Sequence, residues 1–417
     1  MNVYYRRYVT GLLLSAYIFN QMDRAVFNLL MEPIARDLRL SDTKLGFLAG
    51  PAFVLFYAVV GVAIASCADR FNRVNIISIS VALWSVMATL TGFAANFWQL
   101  VAVRIGVGVG EAGCTPPAAS ILADYFPPQD RSLAISVYML GIPLGAIVSD
   151  LVAGWVNQYY GWRAAFWVSA PAGVVLALVI KSTLREPVRT NSLANGLADQ
   201  DTPGLGAVIG TIWRRKALAH LVAGLVVMNT VFASTSWFSV MFIRRYGMST
   251  GELGGWLAIT SGAGGGLGIW LGGFLSAKAK HQRRQTLVLM WSSLFSCPLL
   301  FAVLLAPSKT MALVALLPAS VAVSMYLGPS FSIVQELCDA RSRATVVAVV
   351  IFLQLMGGGL IGSQLIGILS DAIAVSSHGQ GLLWLMEACC LGALWAAAHF
   401  WQSARITTGR DSASRLA

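Results

Sequence analysis

Apolar runs of about 20 residues, divided by short polar breaks, recur from one end of the chain to the other. Little else constrains the fold as tightly. A helical run of that length crosses the hydrocarbon core of a bilayer, and only a helix or a closed barrel satisfies its backbone there. The runs fall at about 8–30, 44–67, 74–95, 98–123, 131–156, 163–182, 217–243, 251–277, 285–306, 310–336, 343–370 and 380–402. They predict an all-α polytopic membrane protein with twelve transmembrane helices. Composition agrees: 57% of residues are hydrophobic and 11% charged, where a soluble domain carries about 25% charged residues.

The net charge of +11 would suit a nucleic-acid partner if the basic residues were clustered. They lie instead in short loops between apolar runs, where they set topology. Of the 29 lysines and arginines, 20 fall on the side shared by both termini and the central linker, 7 on the other, and 2 within the runs. The positive-inside bias therefore puts both termini and the linker in the cytoplasm, as for a multi-pass protein of a bacterial inner membrane. The first run is too long for a signal peptide, carries Asp23 and Arg24, and has no small-residue cleavage site after it. The cysteines show neither metal-ligand spacing nor a disulfide framework. No metal, no cofactor and no nucleic acid is expected, and the chain is expected to act as a monomer in the lipid bilayer.

The longest polar stretch divides the chain into an N-terminal six-helix half (1–184), a cytoplasmic linker (185–216), a C-terminal six-helix half (217–404) and a cytoplasmic tail (405–417). The apolar insert Gly204–Ile212 in the linker is too short to span and is expected along the membrane surface. The halves read as copies. Leu40-Ser41-Asp42-Thr43-Lys44-Leu45-Gly46 aligns with Met248-Ser249-Thr250-Gly251-Glu252-Leu253-Gly254 at an offset of 208 residues. The same offset carries Ala65-x-x-x-Asp69-Arg70 onto Gly273-x-x-x-Ala277-Lys278. Two parallel six-helix repeats are the symmetry of one transporter architecture, with its substrate site near the midplane.

Four charges stand inside apolar runs: Asp23 and Arg24 in the first, Arg104 and Glu111 in the fourth. Each costs at least ~3 kcal/mol to insert, so each is a functional candidate. Arg104 and Glu111 are seven residues apart, on one helix face and about 10 Å apart along the axis. The intervening glycines, Gly106, Gly108 and Gly110, let a neighbour approach. They superficially match a nucleotide-binding loop, but that loop requires a strand before it and a soluble βαβ unit. Glu111 reads as a proton-carrying carboxylate, caught between desolvation and a nearby guanidinium from Arg104 or Arg24. An arginine fork suits an anionic headgroup, phosphate above all. The same four charges would also serve as a purely structural ion network.

Asp69-Arg70-x-x-Arg73 follows the second run and reads as a cytoplasmic gate latch, or as a plain basic loop. Gly141, Pro143 and Gly145 read as a hinge in the fifth run. Asp150 and Glu387 are further charges in or near runs, with no role assigned. Side chains that could line a central cavity are Asn20, Tyr57, Tyr138, Asn229, Thr230, Ser234, Ser236, Trp237, Phe238, Tyr326, Gln354 and Gln364. Charge is concentrated on the first-half side. That suits an amphipathic substrate with an anionic or zwitterionic head and a greasy tail better than a sugar.

These features resemble the major facilitator superfamily over essentially the whole chain. Its loop motif is matched by Ala65-x-x-x-Asp69-Arg70-Phe71-Asn72-Arg73-Val74, with two glycines and the last basic residue replaced. Its Arg-x-Gly-x-Gly motif is matched by Arg104, Gly106 and Gly108, and its fifth-helix motif is half present in Gly141-Ile142-Pro143. Within it, Asn20-Gln21-Met22-Asp23-Arg24 with Gly108-Val109-Gly110-Glu111-Ala112 resembles the Spinster family, implicated in exporting lysophospholipids and sphingosine-1-phosphate. The resemblance implies Glu111 as the proton-coupling carboxylate, Asp23 and Arg24 as headgroup-side or gating residues, and Arg104 as a coupling partner.

The expected function is secondary active transport by alternating access, coupled to protons, of a lipid-like amphipathic substrate of the lysophospholipid or sphingosine-phosphate type. Alternatives are a proton-coupled carrier of a small organic anion or drug, and a non-transporting receptor or scaffold. An enzyme is not expected, because no nucleophile–base pair is in evidence.

Overall fold

The structure, a computed structural model, describes residues 3–169, 171–187, 205–279, 281–338, 343–373 and 380–413. Every one of the twelve apolar runs is helical, and no strand occurs among the described residues. The first half holds α1 (Val3–Leu38), α2 (Asp42–Ala49 and Pro51–Arg70), α3 (Arg73–Thr91), α4 (Phe97–Glu111 and Thr115–Tyr125), α5 (Pro128–Met139 and Gly141–Tyr160) and α6 (Trp162–Ser169 and Pro171–Thr183). Among its described residues the linker contains one short helix, α7 (Leu205–Arg214), over the apolar insert. The second half holds α8 (Lys216–Ser234, Thr235–Trp237 and Phe238–Tyr246), α9 (Thr250–Leu257, Ala258–Ala263 and Gly264–Lys278), α10 (Gln282–Leu304), α11 (Lys309–Ser324 and Leu327–Glu336), α12 (Arg343–Leu355, Met356–Ser363 and Gln364–Ile373) and α13 (Gly381–Ala413).

Local chemistry explains where these helices start and break. Ser41 caps α2 by accepting from the Lys44 N–H at 3.4 Å, and Ser249 caps α9 by accepting from the Glu252 N–H at 3.2 Å. These serines are 208 positions apart, so the sequence repeat is realised as the same N-cap in both halves. Proline sets most of the breaks. Pro51, Pro116, Pro117 and Pro143 lack the N–H that would continue α2, α4 and α5, and each helix restarts at or just before them. In α5 the interruption falls at Leu140, one turn ahead of Pro143. The glycine clusters of α9 and α12 are absorbed differently. Ala258–Ala263 and Met356–Ser363 are widened, π-helical turns, a form frequent at functional sites.

Ten helices among the described residues are long and apolar enough to span a bilayer. The other two expected spans are α1 and α4, which carry the intramembrane charges. Bulky aliphatic side chains such as Ile79, Leu178 and Val314 stand more than 60% exposed in mid-helix, as lipid-facing positions do and a soluble surface does not.

The chain forms two compact units, Met1–Leu197 with Ser239–Gly262, and Ala198–Phe238 with Ala263–Ala417. The first therefore includes the end of α8 and the start of α9. Arg244 is bracketed there by Glu32 at 2.7 Å and Asp42 at 2.7 Å, and Ser239 donates to the Asn28 carbonyl. In the second unit α8 packs on α13. Ser403 donates to the Ala217 carbonyl at 2.8 Å, and His220 and His399 meet at 2.9 Å.

Candidate substrate and proton site

The site grows from the glycines of α4. A methyl group on Gly108 would lie 2.7 Å from the Phe53 carbonyl oxygen, and one on Gly110 2.7 Å from the Trp84 backbone nitrogen. Those contacts hold only without a Cβ, so α4 wedges between α2 and α3 at close range. Glu111 is the last residue of the first piece of α4. The helix dipole's negative end points at that position, so an ionised Glu111 needs a cation.

Arg24 of α1 supplies it. Its Nε donates to Glu111 Oε2 at 2.6 Å, with Glu111 fully buried and 29% of the arginine side chain exposed. The guanidinium lies 4.7 Å from the ring centres of both Phe53 and Tyr57. The second oxygen, Glu111 Oε1, is buried without a partner, as are Asp23 Oδ2 and Asn20 Nδ2. Three orphaned polar atoms in the same unit are costly to bury. A cavity of about 10 Å³ beside Asp23, between Met22 and Trp84, holds roughly one water.

Arg104 does not pair with Glu111, although both lie on one face of α4. Its Nε donates to the Leu48 carbonyl at 3.2 Å, and the guanidinium packs over Phe27 at 4.2 Å and Phe53 at 4.9 Å. Leu48 lies near the end of the first piece of α2, where the Gly50-Pro51 break frees carbonyls. Among the described residues no carboxylate lies within 4.0 Å of Arg104. Phe53 thus lies within 5 Å of both guanidiniums, and neither it nor Phe27 was marked out by the sequence motifs.

The other expected residues are placed as follows. Tyr138 is fully buried and stacks on Tyr17 at 4.5 Å. Gly141 makes room for that Tyr17 ring, and Gly145 lies against the Ile18 carbonyl, so both seat α5 on α1. In the second unit Asn229 accepts from the Tyr326 hydroxyl at 3.1 Å and donates to the Gln354 carbonyl at 2.6 Å, just before the widened turn of α12. Thr230 donates to the Val226 carbonyl, Gln354 is buried, and Trp237 is fully buried with Nε1 unpartnered.

In the last turn of α2, Arg70 is exposed and the side chain of Asp69 lies outside the described residues. Arg73 is buried and binds Asp124 at 2.6 Å, Glu186 at 2.7 Å and Ser120 at 2.7 Å. It fastens the start of the linker to α4. Its partners lie 51 and 113 residues away, beyond what local spacing reveals.

The sequence profile described as Major Facilitator Superfamily matches residues 13–363. An MFS-type efflux pump of Mycolicibacterium smegmatis is 34% identical over 387 residues, 91% of this chain and 88% of that protein. A sphingosine-1-phosphate transporter of Danio rerio is 28% identical over 250 residues, 59% of this chain and 46% of that protein. Among solved structures, a bacterial homologue of the human lysosomal transporter Spinster, inward-facing and unoccupied, matches with a TM-score of 0.84 at 29% identity, over 97% of this chain and 98% of that one. A D-xylose–proton symporter shares the fold alone, at a TM-score of 0.75 and 15% identity. The chain therefore belongs to the Major Facilitator Superfamily, whose members are membrane carriers rather than enzymes, and within it resembles the Spinster proteins.

Proposed function

We propose that the protein is a proton-coupled secondary transporter that works by alternating access and carries an amphipathic, lipid-like substrate with an anionic head. The observation that carries this reading is the Arg24–Glu111 pair beside the orphaned oxygens of Glu111 and Asp23. One guanidinium faces two claimants, the Glu111 carboxylate and an incoming anion. A proton on Glu111 neutralises the first and leaves Arg24 to the second. Asp23, buried without a cation, is the second proton-carrying group of the site. Phe53 and Tyr57 hold the Arg24 guanidinium by its faces, which leaves its edge for a phosphate or carboxylate.

The sphingosine-1-phosphate transporter among the relatives supports a lysophospholipid or sphingosine-phosphate type of substrate. The efflux pump favours a second reading, export of a small organic anion or drug through the same site. The basic-residue bias supports cytoplasmic termini in a bacterial inner membrane. In proteoliposomes under an imposed pH gradient, wild type is expected to move a fluorescent lysophospholipid and Glu111→Gln to lose the gradient dependence. Transport of an organic acid but not the lysolipid would decide for the second reading. Gradient-driven transport undiminished in Glu111→Gln would remove Glu111 from coupling.

A further inference from the structure

The first unit contains a buried carboxylate outside the site described above. Asp150 sits in the second piece of α5 and is 6% exposed. Among the described residues its side chain has no hydrogen bond and no ion pair. Burying an unpaired carboxylate charge costs far more than burying the neutral acid.

Its position gives that burial a consequence. Asp150 lies on the seam where α5 meets the start of α9. A methyl group on Gly154 would stand 2.6 Å from the Thr250 carbonyl oxygen and 3.2 Å from Gly254 Cα, and one on Gly254 would meet the Asp150 carbonyl. Gly262 is as tight against Ile147. Asn157 donates to Thr250 at 2.8 Å, and Thr250 donates to the Gly154 carbonyl at 3.1 Å. The seam is backbone-to-backbone at Asp150, and polar one to two turns further out.

The charged groups on helices packed against α5 are committed elsewhere. Arg24 of α1 holds Glu111, Glu32 of α1 holds Arg36 and Arg244, and Arg163 of α6 holds Asp37. Asp23 of α1 and Glu252 of α9 carry the same sign as Asp150 and cannot stabilise its charge. Ionisation of Asp150 therefore calls for water, and parting of the seam would supply it.

We propose that Asp150 is a further proton-responsive group of the transport cycle, outside the Glu111 and Asp23 site, protonated while the α5–α9 seam is closed and ionised when the seam opens to water. This rests on the alternating-access reading above but not on Glu111. The sign is fixed: opening releases a proton, so rising pH favours the open seam, by at most about tenfold in population per pH unit for one proton.

Ala258 is 4% exposed at the start of the widened turn of α9, between the seam glycines Gly254 and Gly262. Ala258→Cys therefore reports seam opening through reaction with a water-soluble maleimide, read peptide by peptide to separate it from the native cysteines. Labelling is measured from pH 6 to 8 with and without Asp150→Asn, so that thiol chemistry cancels in the ratio. The expected ratio climbs with pH, up to tenfold per unit, and Asp150→Glu restores the climb. A flat ratio, or a cysteine never labelled at any pH, overturns the proposal. Adding Glu111→Gln separates the two claims. A climb that survives it places the response at Asp150. A rise in labelling flattened by Glu111→Gln but equal with and without Asp150→Asn, so that the ratio stays flat, refutes the Asp150 assignment and leaves the Glu111 reading standing.

Discussion

Replacing Glu111 by Gln should make the protein bind an anionic lipid head more tightly, not less. In wild type at pH 8 the head must take Arg24 from Glu111. The Nε–Oε2 contact is 2.6 Å, which puts the charge centres about 4 Å apart, and an effective dielectric of 20 gives about 4 kcal/mol for such a pair. With 29% of the Arg24 side chain exposed, solvent screening reduces this to about 2 kcal/mol. At 1.4 kcal/mol per decade that is about 30-fold in Kd. Glu111→Gln keeps the shape and removes the competing charge, while the Phe53 and Tyr57 faces still hold the guanidinium. The assay is fluorescence titration of purified protein with a labelled lysolipid bearing an anionic phosphodiester head, whose charge stays constant from pH 5 to 8, over that pH range. Wild-type affinity should strengthen as pH falls, because each proton on Glu111 frees Arg24. The variant should be about 30-fold tighter at pH 8, nearly flat with pH, and equal to wild type at the acid end. Equal or weaker binding by a folded Glu111→Gln protein at pH 8 would refute the competition argument.

Three further outcomes follow from packing and charge. Arg73→Ala removes the buried cation that binds both Asp124 and Glu186 and should cost about 3–5 kcal/mol, seen as faster thermal inactivation in detergent. Arg73→Lys should rescue little, because one ammonium cannot replace a fork that spans Asp124, Glu186 and Ser120. Gly108→Ala puts a methyl 2.7 Å from the Phe53 carbonyl oxygen, and the shift of α2 this forces should cost about 1–3 kcal/mol in the same measurement. At the exposed end of α1, hydrogen bonds from Arg163 and Trp162 hold the Asp37 carboxyl below its usual range. A lowered folded value means stability that is full above about pH 4 and is lost as pH falls through the folded value. Asp37→Asn should therefore lower thermal stability slightly at pH 7, by under about 1 kcal/mol for so exposed a pair, with the deficit shrinking as pH falls below about 4.

What the sequence determined is what depends on hydropathy and on local backbone chemistry. Apolar runs of bilayer length admit little but helices, so all twelve could be placed. The repeat was legible because Ser41 and Ser249 do the same capping work at the same register, and Pro51, Pro116 and Pro143 broke their helices for a reason written in one residue. Charges within apolar runs singled out Asp23, Arg24, Arg104 and Glu111 because the bilayer makes any charge there conspicuous. Which of them pair was not legible. Arg104 and Glu111 share a helix face, yet Glu111 is held by Arg24, 87 positions away, and Arg104 goes to a carbonyl freed by a proline on another helix. The same holds for the Arg73 clamp, for Phe53 beneath both guanidiniums, and for Asp150, whose isolation is a property of what packs around it. Helix formation needs only neighbours in sequence and the solvent around them. Pairing in a buried site is decided by which helices lie side by side and how closely their glycines let them approach, and that only the tertiary structure fixes.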